Sequence, residues 1–198
     1  MPYKPDSREY RSMAMLSPAT ADKRIDSDYY VEGLATTWDR PYLIAEVDGV
    51  KYFEKVDRHA LDGADLSDVI MQYDHRGRVL ARNGNGTLIL DPSHTGGLFV
   101  AADLSKSDAA RAMYEDISNS LITRMSWAFV VSEDSYDRTT HTRTILRIKK
   151  VYDVSAVSRP ANDDTHISAR SWVDGVIDAA HREAMERRKQ IIRILANT

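Results

Sequence analysis

The sequence predicts an α+β protein with a β-barrel core flanked by helices, and three observations support this fold class. Short segments rich in β-branched and aromatic residues fill much of the chain between residues 29 and 158. Turn signals such as Asp48-Gly49 and the run at 83–86 separate several of these segments. Apolar residues at helical spacing occur after residue 105 and again from 169 to 195. Many short strands joined by tight turns are typical of a barrel or a strongly curved sheet.

The individual elements follow from the same patterns. The predicted strands are 29–38, 42–47, 50–55, 68–74, 78–82, 87–91, 97–104, 121–132, 142–150 and 151–158. The first helix is predicted to begin after a capping box at 105–108 and to bury Ala110, Met113 and Ile117. The second helix, 169–195, has one apolar stripe, formed by Val173, Ile177, Ala180, Ala184, Ile191 and Leu195. Residues 1–27 are mostly polar and are interpreted as a partly flexible arm with a β-like stretch at 10–15.

Composition excludes several classes of function. The 198 residues, 42% hydrophobic and 29% charged, are typical of a soluble protein with one main domain. A net charge of −3 argues against a general nucleic-acid binder. The absence of cysteine excludes a disulfide scaffold, a thiolate metal site and a cysteine nucleophile. No apolar run reaches about 18 residues, so no membrane span is predicted. The polar N-terminus does not have the pattern of a signal peptide.

Histidine spacing gives no indication of a metal centre. His94, His141 and His166 stand alone in polar segments, without the helical pairing that zinc enzymes use. We therefore predict neither a metal nor a cofactor.

Ser126 is the first candidate for chemistry. It lies in the predicted strand 121–132, where Met125, Trp127, Phe129 and Val131 are large and apolar at alternate positions and should face the core. Ser126 is therefore expected on the opposite face, beside Arg124 and the small Ala128, with room for a substrate. The commoner interpretation of such a residue is a plain serine on a solvated strand face.

His75 and Asp153 are the other two candidates. His75 ends a segment in which alternation places it with Val69, Met71 and Tyr73, and it is either a hydrogen-bonded core residue or a general base. Asp153 lies in the apolar stretch 151–158, where a buried carboxylate needs a partner. An arginine or the imidazole of a histidine would serve.

Together the three residue types can supply a nucleophile, a base and a group that orients the base. They lie on separate predicted β segments, and their coexistence alone is weak evidence because all three types are common. The G-x-S-x-G turn of the α/β-hydrolases is absent from the sequence.

Seven segments, taken in order, resemble segments of the prohead proteases of tailed phages. These proteases mature the viral head. The seven segments are REYRS at 8–12, YVEGLATTW at 30–38, FEKVDRHAL at 53–61, DHRGRVLAR at 74–82, GLFVAADL at 97–104, RMSWAF at 124–129 and DVSAVSRPA at 153–161. The resemblance implies a serine endopeptidase with Ser126 and His75 as its catalytic pair. Asp153 is implied as the third member, at a position where the family more often has glutamate. By analogy with the herpesvirus assemblins, whose fold is similar, Arg159 is the candidate oxyanion group, with Arg143 or Arg147 as alternatives.

The resemblance also implies a place and partners. Together with the composition and periodicity of the chain, it predicts an arm at 1–27, a protease domain at 28–162 and a C-terminal linker and amphipathic helix at 163–198. Capsid and scaffold proteins, and the protease itself, would be cleaved inside the assembling prohead in the host cytoplasm. A homo-oligomer such as a dimer is expected, and neither nucleic acid nor a membrane is an expected partner.

Two other functions stay open at this point. One is a non-enzymatic capsid assembly or scaffolding protein with the same fold. The other is nucleic-acid binding by the C-terminal helix, whose residues 181–193 carry five basic side chains against two acidic ones. The apolar stripe of this helix favours packing on the domain or on a partner helix.

Overall fold

The computed structural model describes residues 7–18, 22–158 and 163–196, which form ten strands and two α-helices. The strands are β1 Glu9–Pro18, β2 Tyr30–Thr37, β3 Tyr42–Val47, β4 Val50–Val56, β5 Ile70–Tyr73, β6 Arg76–Arg82, β7 Leu88–Asp91, β8 Gly97–Asp103, β9 Arg124–Asp137 and β10 Thr142–Val157. The helices are α1 Asp108–Ser118 and α2 Asp163–Ala196. A short 3₁₀ helix, Asn83–Asn85, follows β6, where the sequence predicted a turn.

The α+β class is confirmed, but the prediction of a closed barrel is wrong. The strands pair in the order β3-β4-β10-β9-β1-β2-β8-β7, and β3 and β7 each pair with one neighbour within the described residues. The reason lies in β10, predicted as two strands and found as a single strand of 16 residues. One edge of β10 pairs with β9, while the other pairs with β4 near its start and with β5 near its end. The sheet therefore branches at β10 instead of closing.

Strand β1 occupies a central position between β9 and β2. The β-like stretch noted within the predicted N-terminal arm belongs to this strand. Glu9 pairs with Phe129 and Ser12 with Ser126, before a bulge shifts the register. Residues far upstream in the chain thereby come beside the predicted nucleophile.

The core forms where the predicted apolar face of β9 meets the neighbouring strands and α1. Met125, Trp127 and Phe129 are fully buried, and Val131 is 7% exposed, as the alternation predicted. Helix α1 buries Ala110, Met113 and Ile117, which also confirms its predicted face.

The two helices differ from their predicted bounds. The N-cap of α1 is Ser107, whose hydroxyl accepts the Ala110 N–H, so the predicted capping box placed the cap two residues too early. Helix α2 begins at Asp163 and packs through Trp172 and Val173, with Val176 and Ile177 beside them. From residue 181 to 194 every side chain of α2 is exposed. No helix in the described part of the chain is both long enough and apolar enough to cross a membrane.

Candidate active site

Ser126 lies near the start of β9, in the middle of the sheet. Its neighbours across the two ladders are Ser12 on β1 and Ser155 on β10. Ser126 is 1% exposed and Ala128 is fully buried, so the face predicted to be open is covered at these two positions. Arg124, two residues earlier on the same face, is exposed. The exposed end of this part of the strand is therefore at Arg124.

His75 lies in the tight turn that joins β5 to β6, not within a strand. Asp74 and His75 have φ of 47° and 58°, and Tyr73 pairs with Arg76 across the two-residue turn. Positive φ at both central residues is the signature of a type I′ hairpin turn, for which Asn-Gly is preferred. Histidine in this conformation is a local strain, of the kind that tends to accumulate at functional sites.

The turn is anchored to the end of β10. The Asp74 N–H donates to the carbonyl of Ala156 over 2.9 Å, and the Asp74 carboxylate accepts the N–H and the hydroxyl of Ser158, each over 2.9 Å. These three bonds fix the backbone that carries the imidazole.

The prediction that His75 shares a strand face with Val69, Met71 and Tyr73 is wrong, because His75 lies in the turn. Val69 and Met71 are fully buried, but a register shift between Met71 and Tyr73 breaks the alternation, and Tyr73 is 42% exposed. The side chain of His75, only 4% exposed, reaches its position from the turn.

The three predicted residues come together in one hydrogen-bonded chain. Nε2 of His75 lies 2.7 Å from Oγ of Ser126, and Nδ1 of His75 lies 2.5 Å from Oδ1 of Asp153. A neutral imidazole that donates from Nδ1 to the carboxylate presents Nε2 as the acceptor of the serine proton. This arrangement can chemically deprotonate a serine hydroxyl and hold the resulting imidazolium beside a negative charge.

Asp153 takes a histidine as its partner, one of the two predicted possibilities. Its side chain is 4% exposed, and the same Oδ1 also accepts the hydroxyl of Ser155 over 2.7 Å. The carboxylate is thus buried with two donors, which compensate for its removal from water.

Sequence reasoning missed two residues that contact this cluster. Ser155, fully buried, lies two residues after Asp153 on the same strand face, so alternation alone could have indicated it. The ring of Tyr10 packs edge-on against the imidazole of His75 with 4.7 Å between ring centroids. Nothing in the sequence pattern indicated Tyr10, because this contact depends on the insertion of β1 beside β9.

The three arginines considered for an oxyanion contact have different positions. Arg159 lies outside the described residues. Arg143 is fully buried in a separate cluster of charges, and Arg147, 60% exposed in its side chain, pairs with Glu133. Arg143 lies opposite Glu54 of β4 and Arg147 opposite Glu133 of β9, and both precede the end of β10 that pairs with Ser126.

A buried ion cluster lies on the same sheet and involves no member of the serine chain. It consists of Glu9 and Arg11 on β1, Glu54 on β4 and Arg143 on β10, all at most 2% exposed. Arg11 binds Glu54 through Nε and Nη2 at 2.5 and 2.7 Å, and Arg143 binds Glu9 through Nη1 and Nη2 at 2.7 and 2.9 Å. The Tyr42 hydroxyl also donates to Glu54.

The charges of this cluster fix one another's protonation. Burial by itself raises the pKa of Glu54, but the guanidinium groups of Arg11 and Arg143 lower it to about 2. Burial by itself lowers the pKa of Arg143, yet the carboxylates of Glu54 and Glu9 raise it well above its ordinary value. Glu54, Arg11 and Arg143 therefore stay charged across the physiological range.

A cavity of about 380 Å³ lies elsewhere, between the tip of the β9–β10 hairpin and α2. Tyr136 and His141 line it, hydrogen-bonded to each other over 3.0 Å, and His181 lies at its wall. Tyr136 lies at the opposite end of β9 from Ser126. The cavity and the hydrogen-bonded chain of Ser126, His75 and Asp153 therefore lie in different parts of the protein. We take the hydrogen-bonded chain as the candidate active site.

Comparison with known proteins agrees with the resemblance seen in the sequence. The model of the caudovirus prohead serine protease family matches residues 19–176 of the 198. Searches of curated proteins and of solved structures found no match. The likeness to herpesvirus assemblins therefore stays a prediction. The family match covers most of the chain and includes all three residues of the hydrogen-bonded serine chain, and the chain belongs to the caudovirus prohead serine protease family.

Proposed function

We propose that the protein is a serine endopeptidase of phage capsid maturation in which Ser126 is the nucleophile, His75 the general base and Asp153 the group that orients it. The observation that supports this most is the continuous chain of short hydrogen bonds, 2.7 Å from Ser126 to His75 and 2.5 Å from His75 to Asp153. Membership of a serine protease family supports the reaction class independently of this geometry.

The proposed reaction proceeds in two halves. Oγ of Ser126 attacks the carbonyl carbon of a peptide bond while Nε2 of His75 takes its proton. The imidazolium is stabilised by Asp153 and then gives the proton to the leaving amine as the C–N bond breaks. Water, deprotonated by the same nitrogen, then attacks the acyl carbon. The bond from this carbon to Oγ breaks, the imidazolium of His75 returns the proton to Oγ of Ser126, and the new carboxyl terminus is released.

The proposal also needs a group to stabilise the oxyanion. Backbone N–H groups near Ser126 and the guanidinium of Arg159 are our candidates. The buried ion pairs of Arg143 argue against this alternative, because moving Arg143 would leave buried carboxylates without a partner. Arg147 is less favoured because it pairs with Glu133 and precedes the end of β10 that lies beside Ser126.

The proposed substrates are the capsid and scaffold proteins of the assembling prohead, in the host cytoplasm, and the protease chain itself. We also propose a homo-oligomer such as a dimer. The exposed apolar residues of the second half of α2 support this, since Met185, Ile191, Ile192 and Ile194 are each more than half exposed.

Co-expression with the capsid and scaffold proteins tests the proposal. We expect the wild type to process one or both proteins and Ser126→Ala to process neither. Ser132→Ala is the matched control, because Ser132 is an exposed serine on the same strand, and we expect it to cleave like the wild type. Cleavage that persists in Ser126→Ala would refute the nucleophile. Capsid assembly that proceeds without cleavage in the presence of the wild type, Ser126→Ala or Ser132→Ala alike would favour the non-enzymatic assembly function.

A further inference from the structure

An exposed arginine lies directly beside the proposed nucleophile. Arg124 is the first residue of β9 and precedes Ser126 by two positions, and the pairing of this segment with β10 is regular from Arg124 to Ser126. Side chains two apart in a strand point to the same face, with their Cα atoms roughly 7 Å apart. Arg124 therefore presents its guanidinium on the face that carries Ser126.

The side chain of Arg124 has no ion pair or hydrogen bond to any residue in the described ranges, unlike several exposed or partly exposed arginines elsewhere in the protein. Those arginines have acidic partners: Arg58 pairs with Asp39, Arg82 with Asp68 and Arg147 with Glu133. The acidic groups near the serine are already engaged. Asp74 accepts two bonds from Ser158, and Asp153 binds His75 and Ser155.

The other side of the site adds positive charge. Arg78 lies three residues after His75 in β6, and it is exposed. The whole chain has a net charge of −3, so positive charge here is a local property and not part of a generally basic surface. A substrate that approaches Ser126 meets arginine on the nucleophile's strand and on the strand that follows the base.

We propose that the site prefers substrates with an aspartate or glutamate within about two residues of the cleaved bond, and that Arg124 binds that carboxylate. The inference rests on the proposed function. An extended peptide advances about 3.3 Å per residue, so the distance between Arg124 and Ser126 corresponds to a substrate side chain about two residues from the reacting carbonyl. The planar guanidinium matches a carboxylate with two parallel hydrogen bonds. Arg124 is thus a specificity-determining residue that takes no part in proton transfer.

The test begins from the bonds that the wild type cleaves in co-expressed capsid and scaffold proteins, located by mass spectrometry. A synthetic peptide that spans such a bond is compared with the same peptide in which the nearby Glu or Asp is replaced by Gln or Asn. We expect kcat/KM of the wild type to fall about ten-fold for the amide peptide. We expect Arg124→Gln to cleave both peptides equally, at the lower rate.

Charge reversal gives the sharper form of the test. Arg124→Glu should prefer a peptide with lysine at the same position, a preference that a misfolded variant could not acquire. Arg147→Gln, which alters an exposed arginine far along β10, should keep the wild-type preference. Natural cleavage sites without an acidic residue within two positions would overturn the inference. So would Ser126-dependent cleavage that does not distinguish the acidic peptide from its amide. Absence of any Ser126-dependent cleavage would instead overturn the proposed function, and this inference with it.

Discussion

Two buried polar clusters lie on the same sheet, and they differ in whether a proton can move between their groups. In the ion cluster of Glu9, Arg11, Glu54 and Arg143, each charge faces an opposite charge, so no proton can move without the loss of an ion pair. In the serine chain, the imidazole of His75 stands between a carboxylate and a neutral hydroxyl, so a proton can pass from Ser126 to His75. Burial of charge therefore does not identify a catalytic site by itself.

Strand β1 connects the two clusters. Glu9 and Arg11 point to one face of this strand and enter the ion cluster, while Tyr10 between them points to the other face and packs on His75. The ion cluster thus holds in place the strand that packs against the proposed base. We expect substitutions in the serine chain to affect activity and substitutions in the ion cluster to affect stability, and the following predictions test that division.

The largest expected effect is on the reaction rate. Asp153→Asn keeps the shape of the side chain but removes the charge that stabilises the imidazolium, so we expect kcat to fall about 10⁴-fold. The melting temperature should change little by comparison. The measurement is cleavage of the capsid-derived peptide together with thermal unfolding. A variant that retains most of its activity would remove Asp153 from the proposed triad.

The next largest effect is on stability. Glu54→Gln leaves two buried guanidinium groups short of a negative charge, and we expect it to reduce the free energy of unfolding by about 3–5 kcal/mol. Cleavage per folded molecule should be unchanged. Glu133→Gln, which breaks only the exposed pair with Arg147, is the control and should cost less than about 1 kcal/mol. Equal losses in the two variants in urea unfolding would contradict the role assigned to the ion cluster.

The pH dependence of the free energy of unfolding tests the contribution of the Glu54 carboxylate separately. The pKa of Glu54 is lowered from 4.5 to about 2 in the folded protein, so its charge stabilises the fold above pH 4.5, and this contribution is lost as the pH falls toward 2. We therefore expect the difference in unfolding free energy between wild type and Glu54→Gln to be largest at neutral pH and to shrink below pH 4.5. A difference that stayed constant down to pH 2 would contradict the lowered pKa.

The smallest predicted effect concerns Ser155. Ser155→Ala removes one of the two donors to Oδ1 of Asp153, and a hydrogen bond to a charged group contributes about 1.5–3 kcal/mol. We expect kcat to fall about ten-fold with KM unchanged, because the hydroxyl positions the carboxylate and does not touch substrate. Steady-state kinetics on one peptide would measure both constants. A change confined to KM would assign Ser155 to substrate binding instead.

Much of the fold could be predicted because strand alternation depends on local sequence. The core face of β9 and the buried positions of α1 follow from spacing alone, and both were found as predicted. The absence of a closed barrel could not be predicted, since closure depends on which strands share β10 as a partner. The local prediction for His75 was wrong because a register shift before Tyr73 interrupts the alternation.

Some residues of the candidate site could be predicted from local sequence, and others depend on the pairing of distant strands. The order of motifs along the chain indicated Ser126, His75 and Asp153, and the structure brings these three into contact. The contact of Tyr10 with His75 depends on a pairing between β1 and β9 over more than a hundred residues of chain. Composition and periodicity do not indicate which distant strands pair. The ion cluster, which joins residues of β1, β4 and β10, was therefore not predicted either.

Labelling with a serine-directed fluorophosphonate tests the central claim most directly, because it requires no knowledge of the substrate. If Ser126 is activated by His75, the folded wild type should form one covalent adduct, located by mass spectrometry at Ser126. Labelling should be lost in Ser126→Ala and strongly reduced in His75→Ala, while Ser132→Ala should label like the wild type. An adduct on another serine, or equal labelling of wild type and His75→Ala, would contradict the assignment of Ser126 as the nucleophile of this protease.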